Sequence, residues 1–410
     1  MIPIIAWRNI WRSRTRSGVV IGAIALGVWA ALFMSGFATG MMNSFINNSI
    51  EQVISHIQIH HPKYEEEQDV KYRIEHPGQI ADQLRVDPQV QAVSVRSIAN
   101  GMIATSSSTR GIQITGVDPE SEIQIRQFDS KITQGEYFGD SRSNQILIGE
   151  RLAEKLKIDL RKKVVLTFQD LDGNITSAAF RIVGLFRTNN KPFDESQVFV
   201  MRSDLNRLLS NEEEDVNGSI AHEIAVLLKD AGAVEVLDAE WGAAFPDLLV
   251  QTYREISPDL ELYESQMQFI SLIYLTIIMF ALLFGIINTM LMAVLERFRE
   301  LGMLMAIGMN KVKVFTMIVL ETVLLCLVSA PIGLLLGWGT IRYLGSRGLN
   351  LSAYSESIAQ YGMSEMVYFQ VDLIVYWQVP VAVAITALIA AIYPAWKAIR
   401  LRPVEAIRKL

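Results

Sequence analysis

The sequence predicts an α-helical membrane protein with four transmembrane helices and a large α+β domain inserted between the first and second helices. Three observations predict it. Half of the 410 residues are hydrophobic, yet 37 are Lys or Arg and 43 are Asp or Glu; one soluble domain does not accommodate that mixture, whereas a membrane anchor plus a soluble domain does. Four stretches are long enough to cross a bilayer, which takes about 20 apolar residues: 18–38, 269–295 and 373–396 carry no charge, and 314–341 carries only Glu321. The charges are also segregated. Residues 51–268 hold 22 Lys/Arg against 36 Asp/Glu in a chain whose total is −6.

Residues 1–17 open on an interfacial elbow helix, in which Ile4, Trp7 and Trp11 share a face while Arg8 and Arg12 reach for head groups. Arg8, Arg12, Arg14 and Arg16 precede the first span as they would in a signal peptide. The uncharged core is longer than the about 7–15 residues of a signal h-region, and no small-x-small site closes it, so it is read as a retained span. Residues 18–54 form the first transmembrane helix with a stalk above it, because Met41, Met42, Phe45, Ile46, Ile50 and Val53 keep helical spacing beyond the apolar run. Residues 259–295 form the matching stalk, marked by Leu260, Tyr263, Met267, Phe269 and Ile270, and the second helix. Between the second and third spans, 296–313 is more than a stop-transfer loop. It is a charge-opened helical stretch with Leu301, Leu304, Met305 and Ile307 on an apolar side and glycines at 302 and 308. Residues 314–344 are the third helix, 345–370 an external loop, 371–396 the fourth helix and 397–410 a basic tail.

Basic residues beside the spans set the orientation. Arg8, Arg12, Arg14 and Arg16, then Arg297, Arg299, Lys311 and Lys313, then Lys397, Arg400, Arg402, Arg408 and Lys409 all fall on one side, against Glu296, Glu300 and Glu405. Both termini and the 296–313 segment therefore face the cytoplasm, and the acidic domain and the 345–370 loop lie outside it. Cys326 is the only cysteine and sits within a span, so the external domain rests on an ordinary core without disulfides.

Within 55–258 the pattern is mixed. Strands are expected at 53–61, 90–96, 101–105, 111–117, 163–169, 179–186, 197–201 and 220–229, and helices at 76–85, 150–157, 203–209 and 232–244. Asp172-Gly173 marks a hairpin turn, and the acidic 211–218 stretch reads as a loop.

Chemistry-bearing patterns are few. There is no phosphate-binding Gly-x-x-x-x-Gly-Lys-Ser/Thr loop, no nucleophile elbow, no His-Glu-x-x-His pair and no cysteine cluster. His56 and His60 would share a strand face with Gln58, which reads as a solvated polar face or, less simply, as part of a metal site. Glu321, about two turns inside the third span, is either a polar lock between helices or a side chain snorkelling to the cytosolic interface. Gly333, Gly337 and Gly339 in the third span and Gly18, Gly22 and Gly27 in the first let helices approach closely.

One span, a large external domain, three spans and a basic tail together resemble the MacB-like, FtsX-type ABC transporter permeases. Glu296-Arg297-x-x-Glu300-Leu301-Gly302-x-x-x-Ala306-x-Gly308 is similar to that family's coupling helix, and Tyr393-Pro394-Ala395-x-x-x-Ala398-x-x-x-x-Pro403-Val404-Glu405-Ala406-Ile407-Arg408 to its C-terminal signature. Ile146-Leu-Ile-Gly149, Leu152-Ala153, Leu156 and Phe180-x-Ile-Val-Gly-Leu-Phe186 resemble its periplasmic fold. Ser55-His-Ile-Gln-Ile59 and Val250-Gln-Thr-Tyr-Arg-Glu-Ile-Ser-Pro258 resemble the lipoprotein-releasing LolC/LolE branch more than the exporting branch. Two departures stand out: Met303-Leu304-Met305 is wholly apolar where the coupling segment usually carries a basic residue, and the hairpin at 170–176 is too short for a chaperone-recruiting hook.

The resemblance implies a permease subunit of the bacterial inner membrane with a periplasmic domain. It implies a partner cytosolic ATPase dimer that binds ATP and Mg, this chain holding no cofactor, no metal and no catalytic residue of its own. Coupling to that ATPase would run through Glu296, Arg297, Glu300, Leu301, Gly302, Leu304 and Gly308. A second copy or a homologous permease, the lipid bilayer, an amphipathic substrate such as a lipoprotein, and a periplasmic chaperone or adaptor are the further partners it implies; nucleic acid is not among them. Met41, Met42, Phe45, Ile46, Met267 and Phe269 are expected to line an apolar cavity for acyl chains. A MacB-like efflux or peptide exporter, and a regulator of cell-wall hydrolases that transports nothing, remain alternatives.

Overall fold

The computed structural model describes residues 2–50, 54–139, 144–210, 220–359 and 363–400. The chain divides into two compact units, one of Met1–Asn43, Tyr263–Asn350 and Met366–Leu410, the other of Ser44–Leu262 and Leu351–Glu365.

The first unit is helical. An elbow helix (Ile2–Arg12) is separated by Ser13 alone from the first-span helix (Arg14–Ser49). The second-span helix (Pro258–Glu296), a short helix (Phe298–Ala306), the third-span helix (Lys311–Arg347) and the fourth-span helix (Val375–Ile399) follow. Four of these are long and apolar enough to cross a membrane. Their shared core is built from Val20, Ile24, Val28 and Leu32 of the first span, Leu282, Ile286 and Met290 of the second, Met317, Ile318 and Leu325 of the third, and Val383, Ala387 and Ala390 of the fourth. The elbow helix buries Ala6 and Ile10 and leaves Ile4, Trp7 and Trp11 exposed, the two indoles meeting edge to face at 5.8 Å. Glycine sets the closest helix approach. A Cβ on Gly333 would stand 2.6 Å from the Ala25 carbonyl oxygen and 2.6 Å from Val28 Cβ, and backbone does not yield as a side chain does. Gly337 and Gly27 are similarly crowded by Leu32 and Leu282, whereas Gly18, Gly22 and Gly339 meet nothing within 4 Å. Half of the expected small-residue contacts are therefore absent within one chain.

The second unit carries ten strands: β1 (Ile57–His60), β2 (Val90–Ala104), β3 (Thr109–Val117), β4 (Ile132–Gly135), β5 (Gln145–Gly149), β6 (Lys163–Gln169), β7 (Ile175–Phe186), β8 (Gln197–Met201), β9 (Glu223–Leu228) and β10 (Leu249–Thr252). The two strands expected at 90–96 and 101–105 are one, and this is the key to the fold. The first half of β2 pairs with β9, Arg96 opposite Glu223, in a four-stranded antiparallel sheet of order β10-β1-β9-β2. Its second half pairs with β3 on one side and, from Gly101, with β6 on the other. Continuing β3-β8-β5-β7-β6 brings the order back to β2, closing a six-stranded barrel in which β3–β8 and β5–β7 run parallel. Closure removes the exposed edges these strands would otherwise present. Gly101 permits it, because a Cβ there would run into the backbone oxygen of Thr167. Ile103, Ile114, Ile146, Ile148, Leu166, Phe180, Ile182 and Val198 fill the barrel, and Ala81, Leu84, Leu237 and Trp241 of the helices Pro77–Arg85 and Val234–Ala244 cover the four-stranded sheet.

Among the short helices that escaped the sequence reading are Pro62–Glu67, Pro119–Arg126 and Lys191–Ser196. Each has proline in its first two positions, which was a legible start signal. The α-helix of the first span runs to Ser49, with π-helical backbone at Ile50 and at Ile54, while residues 51–53 and the loop expected at 211–218 lie outside the described residues. The solvated histidine face is also corrected. Gln58 and His60 are buried, and the imidazole bridges the His222 carbonyl and the Gln58 side chain, each at 3.0 Å. His56 accepts from the Leu228 N–H instead. Among the described residues no three His, Cys, Asp or Glu groups gather to hold a metal.

His222 makes a testable contribution to stability. It is fully buried, its Nδ1 accepting from the Ile98 N–H at 2.9 Å and its Nε2 lying 2.8 Å from the Val70 carbonyl. That pairing requires the neutral tautomer, since a second N–H would point at the Ile98 donor. Burial pushes its pKa down to about 4 from 6.5. The unfolded chain then binds the proton first as pH falls, so the stability due to neutral His222 is complete above 6.5 and is lost progressively between 6.5 and 4. The expected loss across that window is about 3 kcal/mol. His222→Gln, compared with the wild type by urea unfolding at pH 7.5 and 4.5, should flatten this dependence; an unchanged slope would refute the assignment.

Candidate functional site

The site is built where the second span stops. Its helix ends at Glu296, Arg297 departs from helical geometry with φ −96° and ψ 20°, and the chain restarts as the short helix from Phe298. This helix closes on Gly308, whose φ of +104° is costly for any residue with a side chain. Asn310 then accepts from the Val312 N–H and caps the third-span helix. Two chain breaks thus isolate a short helix between two spans.

Six charged side chains bind that helix to its neighbours. Glu300 pairs with Arg12 of the elbow helix at 2.9 Å, and Glu296 with Arg16 of the first span at 2.9 Å. Arg297 reaches inward, donating to both oxygens of Glu321 on the third span at 3.2 and 3.3 Å and to the Asn9 carbonyl at 2.9 Å. Arg16 completes the cluster 3.9 Å from Glu321. Ser17 donates to the Ile10 carbonyl at 2.6 Å and pins the corner between elbow and first span. Burial separates these pairs energetically. The Arg12 and Glu300 side chains are 65% and 44% exposed, where an ion pair contributes little; those of Arg297 and Glu321 are 14% and 7% exposed, where losing one partner is severe. Glu321 is therefore paired inward, to arginines of two other segments.

The remaining residues of this segment differ in position. Leu301 and Gly302 are buried and Met305 packs on the helical core. Leu304 is 37% exposed and Ile307 86%, so part of the expected apolar side is left exposed. A cavity of about 350 Å³ opens beside them, floored by Arg297 and Glu321 and walled by Met290, Val294 and Met317.

Of the six residues expected to line an acyl cavity, Met41 is half-buried, Met42 buried, Met267 half-buried and Phe269 exposed, all in the helical unit. Phe45 and Ile46 belong to the other unit, packed on the core of the four-stranded sheet. In the fourth span Pro394, Ala395 and Ala398 are buried, while residues 403–408 of the C-terminal signature lie outside the described residues.

Two groups of polar residues were missed. Arg12, Arg16 and Asn9 were read as flanking residues, because a single sequence gives charge and side but not pairwise contacts. The other group is a buried ionic cluster in the large domain. Arg96 donates to Glu122 at 2.8 and 3.0 Å and also pairs with Glu223, while Arg126 meets Glu122 at 3.2 Å and Ser94 donates to it at 2.7 Å. Burial opposes ionisation of Glu122, but Arg96 and Arg126 prevail and hold its carboxyl below the usual range. Arg126, pushed down to about 10 by burial and by Arg96, lies over the rings of Phe193 and Phe199 at 5.4 and 5.3 Å.

Comparison with known proteins fits this architecture. Residues 17–244 match the family model for a MacB-like periplasmic core domain, and residues 272–403 that for an FtsX-like permease C-terminal region. The lipoprotein-releasing system transmembrane protein LolC of Neisseria meningitidis serogroup B is 25% identical over 336 residues, covering 75% of both chains. LolE of Haemophilus influenzae is 20% identical over 359 residues, covering 82% of this chain and 81% of its own. The macrolide export ATP-binding/permease protein MacB of Photorhabdus laumondii is 24% identical over 287 residues, 66% of this chain but 41% of MacB. Among solved structures, the periplasmic region of MacB from Actinobacillus actinomycetemcomitans aligns with 53% of this chain and 97% of its own at 14% identity and a TM-score of 0.35. With one model covering more than half of the chain and a second covering the later spans, the chain belongs to the MacB/FtsX-type ABC transporter permeases, near their Lol branch.

Proposed function

We propose that this permease couples ATP hydrolysis by a cytosolic partner ATPase dimer to movement of its periplasmic domain, and that it extracts lipoproteins from the inner membrane. The observation that carries the coupling is the short helix Phe298–Ala306, whose exposed Met303 and Leu304, with Ile307 just past its end, border an apolar cavity, while Arg297 ties its first turn to Glu321 and Asn9. An ATPase surface docking on the apolar side would push on the third span and the elbow together. ATP and Mg would sit in the partner, and the chain would contribute no catalytic group. LolC and LolE support the lipoprotein reading, since the resemblance runs along at least three quarters of their length. The second span buries only 11% of its apolar window, against 33–44% in the others, which suits a second permease as well as lipid. On this reading Met41, Met42, Phe45, Ile46, Met267 and Phe269 contact acyl chains, and both termini lie in the cytosol.

The test is to purify the chain with its partner ATPase and identify what accompanies it by mass spectrometry. Triacylated lipoproteins should be found, should leave on adding ATP, and should be retained by Glu300→Lys, which sets two cations against each other at Arg12. A complex without lipoprotein, whose ATPase is stimulated by an adaptor or a cell-wall hydrolase, would replace this reading with export or signalling.

A further inference from the structure

A cavity of about 310 Å³ lies in the large domain, where the start of β4, the end of β7, the helix Glu150–Leu156 and the 351–365 segment meet. Three cations from three of these elements converge on it, Lys131, Arg151 and Arg187, with the hydroxyls of Ser130 and Ser355 beside them; one carboxylate, Glu365, faces it. The Lys131 ammonium already donates to the Arg126 carbonyl at 2.6 Å, which leaves the two guanidiniums as the main donors of the cavity. The Arg151 side chain is 17% exposed, and its Nε is buried without a hydrogen-bond partner. Its nearest carboxylate, Asp194, is 4.0 Å away and already accepts from the N–H and hydroxyl of Thr188 through both oxygens. Burial also pushes the Asp194 carboxyl up to about 6, which weakens it as a counter-ion. Arg187 comes no nearer than 3.7 Å to Glu150 and is 56% exposed. A buried guanidinium donor left without an acceptor is costly, and an oxyanion offering several acceptors in different directions removes that cost. Arginine forks suit phosphoryl oxygens better than a lysine-only site would.

We propose that this pocket binds a phosphoryl oxyanion, supplied as free phosphate or as a phospholipid head group. Three donors arriving from separate elements favour a tetrahedral group over a planar carboxylate. The site does not depend on the transport reading, and its occupancy is measured by binding alone.

The experiment is calorimetric titration of the full chain in maltoside detergent with inorganic phosphate, then with dihexanoyl-phosphatidylglycerol. Saturable binding is expected, weakened about tenfold in Arg151→Met and in the more exposed Arg187→Gln. Binding should be strengthened in Glu365→Gln and unchanged in Arg85→Gln, a surface pair elsewhere on the domain. Competition by the short-chain lipid would assign the head group, and its failure to compete would assign the free anion. If folded wild-type protein binds neither probe saturably, or if affinity survives both arginine substitutions, the proposal is wrong.

Discussion

Glu321→Ala is expected to destabilise the helical unit by about 3–5 kcal/mol and, on the proposed function, to abolish ATP-driven release. The carboxylate is 7% exposed and is shared by Arg297, at 3.2 Å, and Arg16, at 3.9 Å. Removing it leaves two cations facing each other without their common counter-charge. Arg297→Met should cost a similar amount, because it strands Glu321 and also releases the Asn9 carbonyl. The double substitution Arg297→Met/Glu321→Met separates stability from coupling. With both charges gone the desolvation cost disappears, so thermal unfolding should return towards the wild type. Release should not return, because the ion pair that ties the break at Arg297 to the third span is gone. Arg12→Ala, which removes an exposed pair, should move stability by about 1 kcal/mol or less. A double variant that regains both stability and release would show that packing alone joins the short helix to the third span.

Much of the membrane architecture was legible because its signals are one-dimensional. Span length, the lone Glu321 and the basic flanks are properties of consecutive residues, and so is the glycine at 308; the break at Arg297 was not read from the sequence. β8 was legible end to end for the same reason, as a short apolar run before a helix. What remained hidden depends on distant residues meeting. β2 looked like two strands because Asn100-Gly101 resembles an interruption; in three dimensions Gly101 is the point where one strand passes close beneath β6. Gln58 and His60 looked like a wet face because nothing in their neighbourhood announces β9 and β10 on either side of β1. The partners of Glu321 lie 24 positions before it, in Arg297, and in Arg16 near the start of the chain. A charge pattern that predicts orientation does not say which carboxylate each arginine meets.

The same blindness concealed the cluster around Glu122, where the second large effect is expected. Glu122 and Arg126 are spaced i, i+4 on a short helix that the sequence did not reveal, and Ser94 and Arg96 alternate on β2 without announcing a partner. In the fold the Glu122 and Arg96 side chains are 0% and 1% exposed. Glu122→Gln removes the carboxylate that two guanidiniums share, and it should cost about 3–5 kcal/mol, a large share of the about 5–15 kcal/mol that holds an ordinary domain together. Hydrogen exchange across β2 and β9 is the measurement, because those strands carry Arg96 and Glu223 opposite each other. Their amides should lose protection together, while those of the barrel strands β5 and β8 lose less. Arg126→Met should be milder, since the two-point contact between Arg96 and Glu122 survives it. Acid should act through the same residue. The folded pKa of Glu122 is held below its ordinary 4.5, so its contribution is complete above that value and falls away as pH drops towards the folded pKa. Loss of neutral His222 begins higher, at 6.5. Acid unfolding of the domain should therefore show an upper stage that His222→Gln removes and a lower stage that Glu122→Gln removes. If Glu122→Gln leaves exchange at β2 unchanged, the cluster does not hold the two sheets at their shared strand.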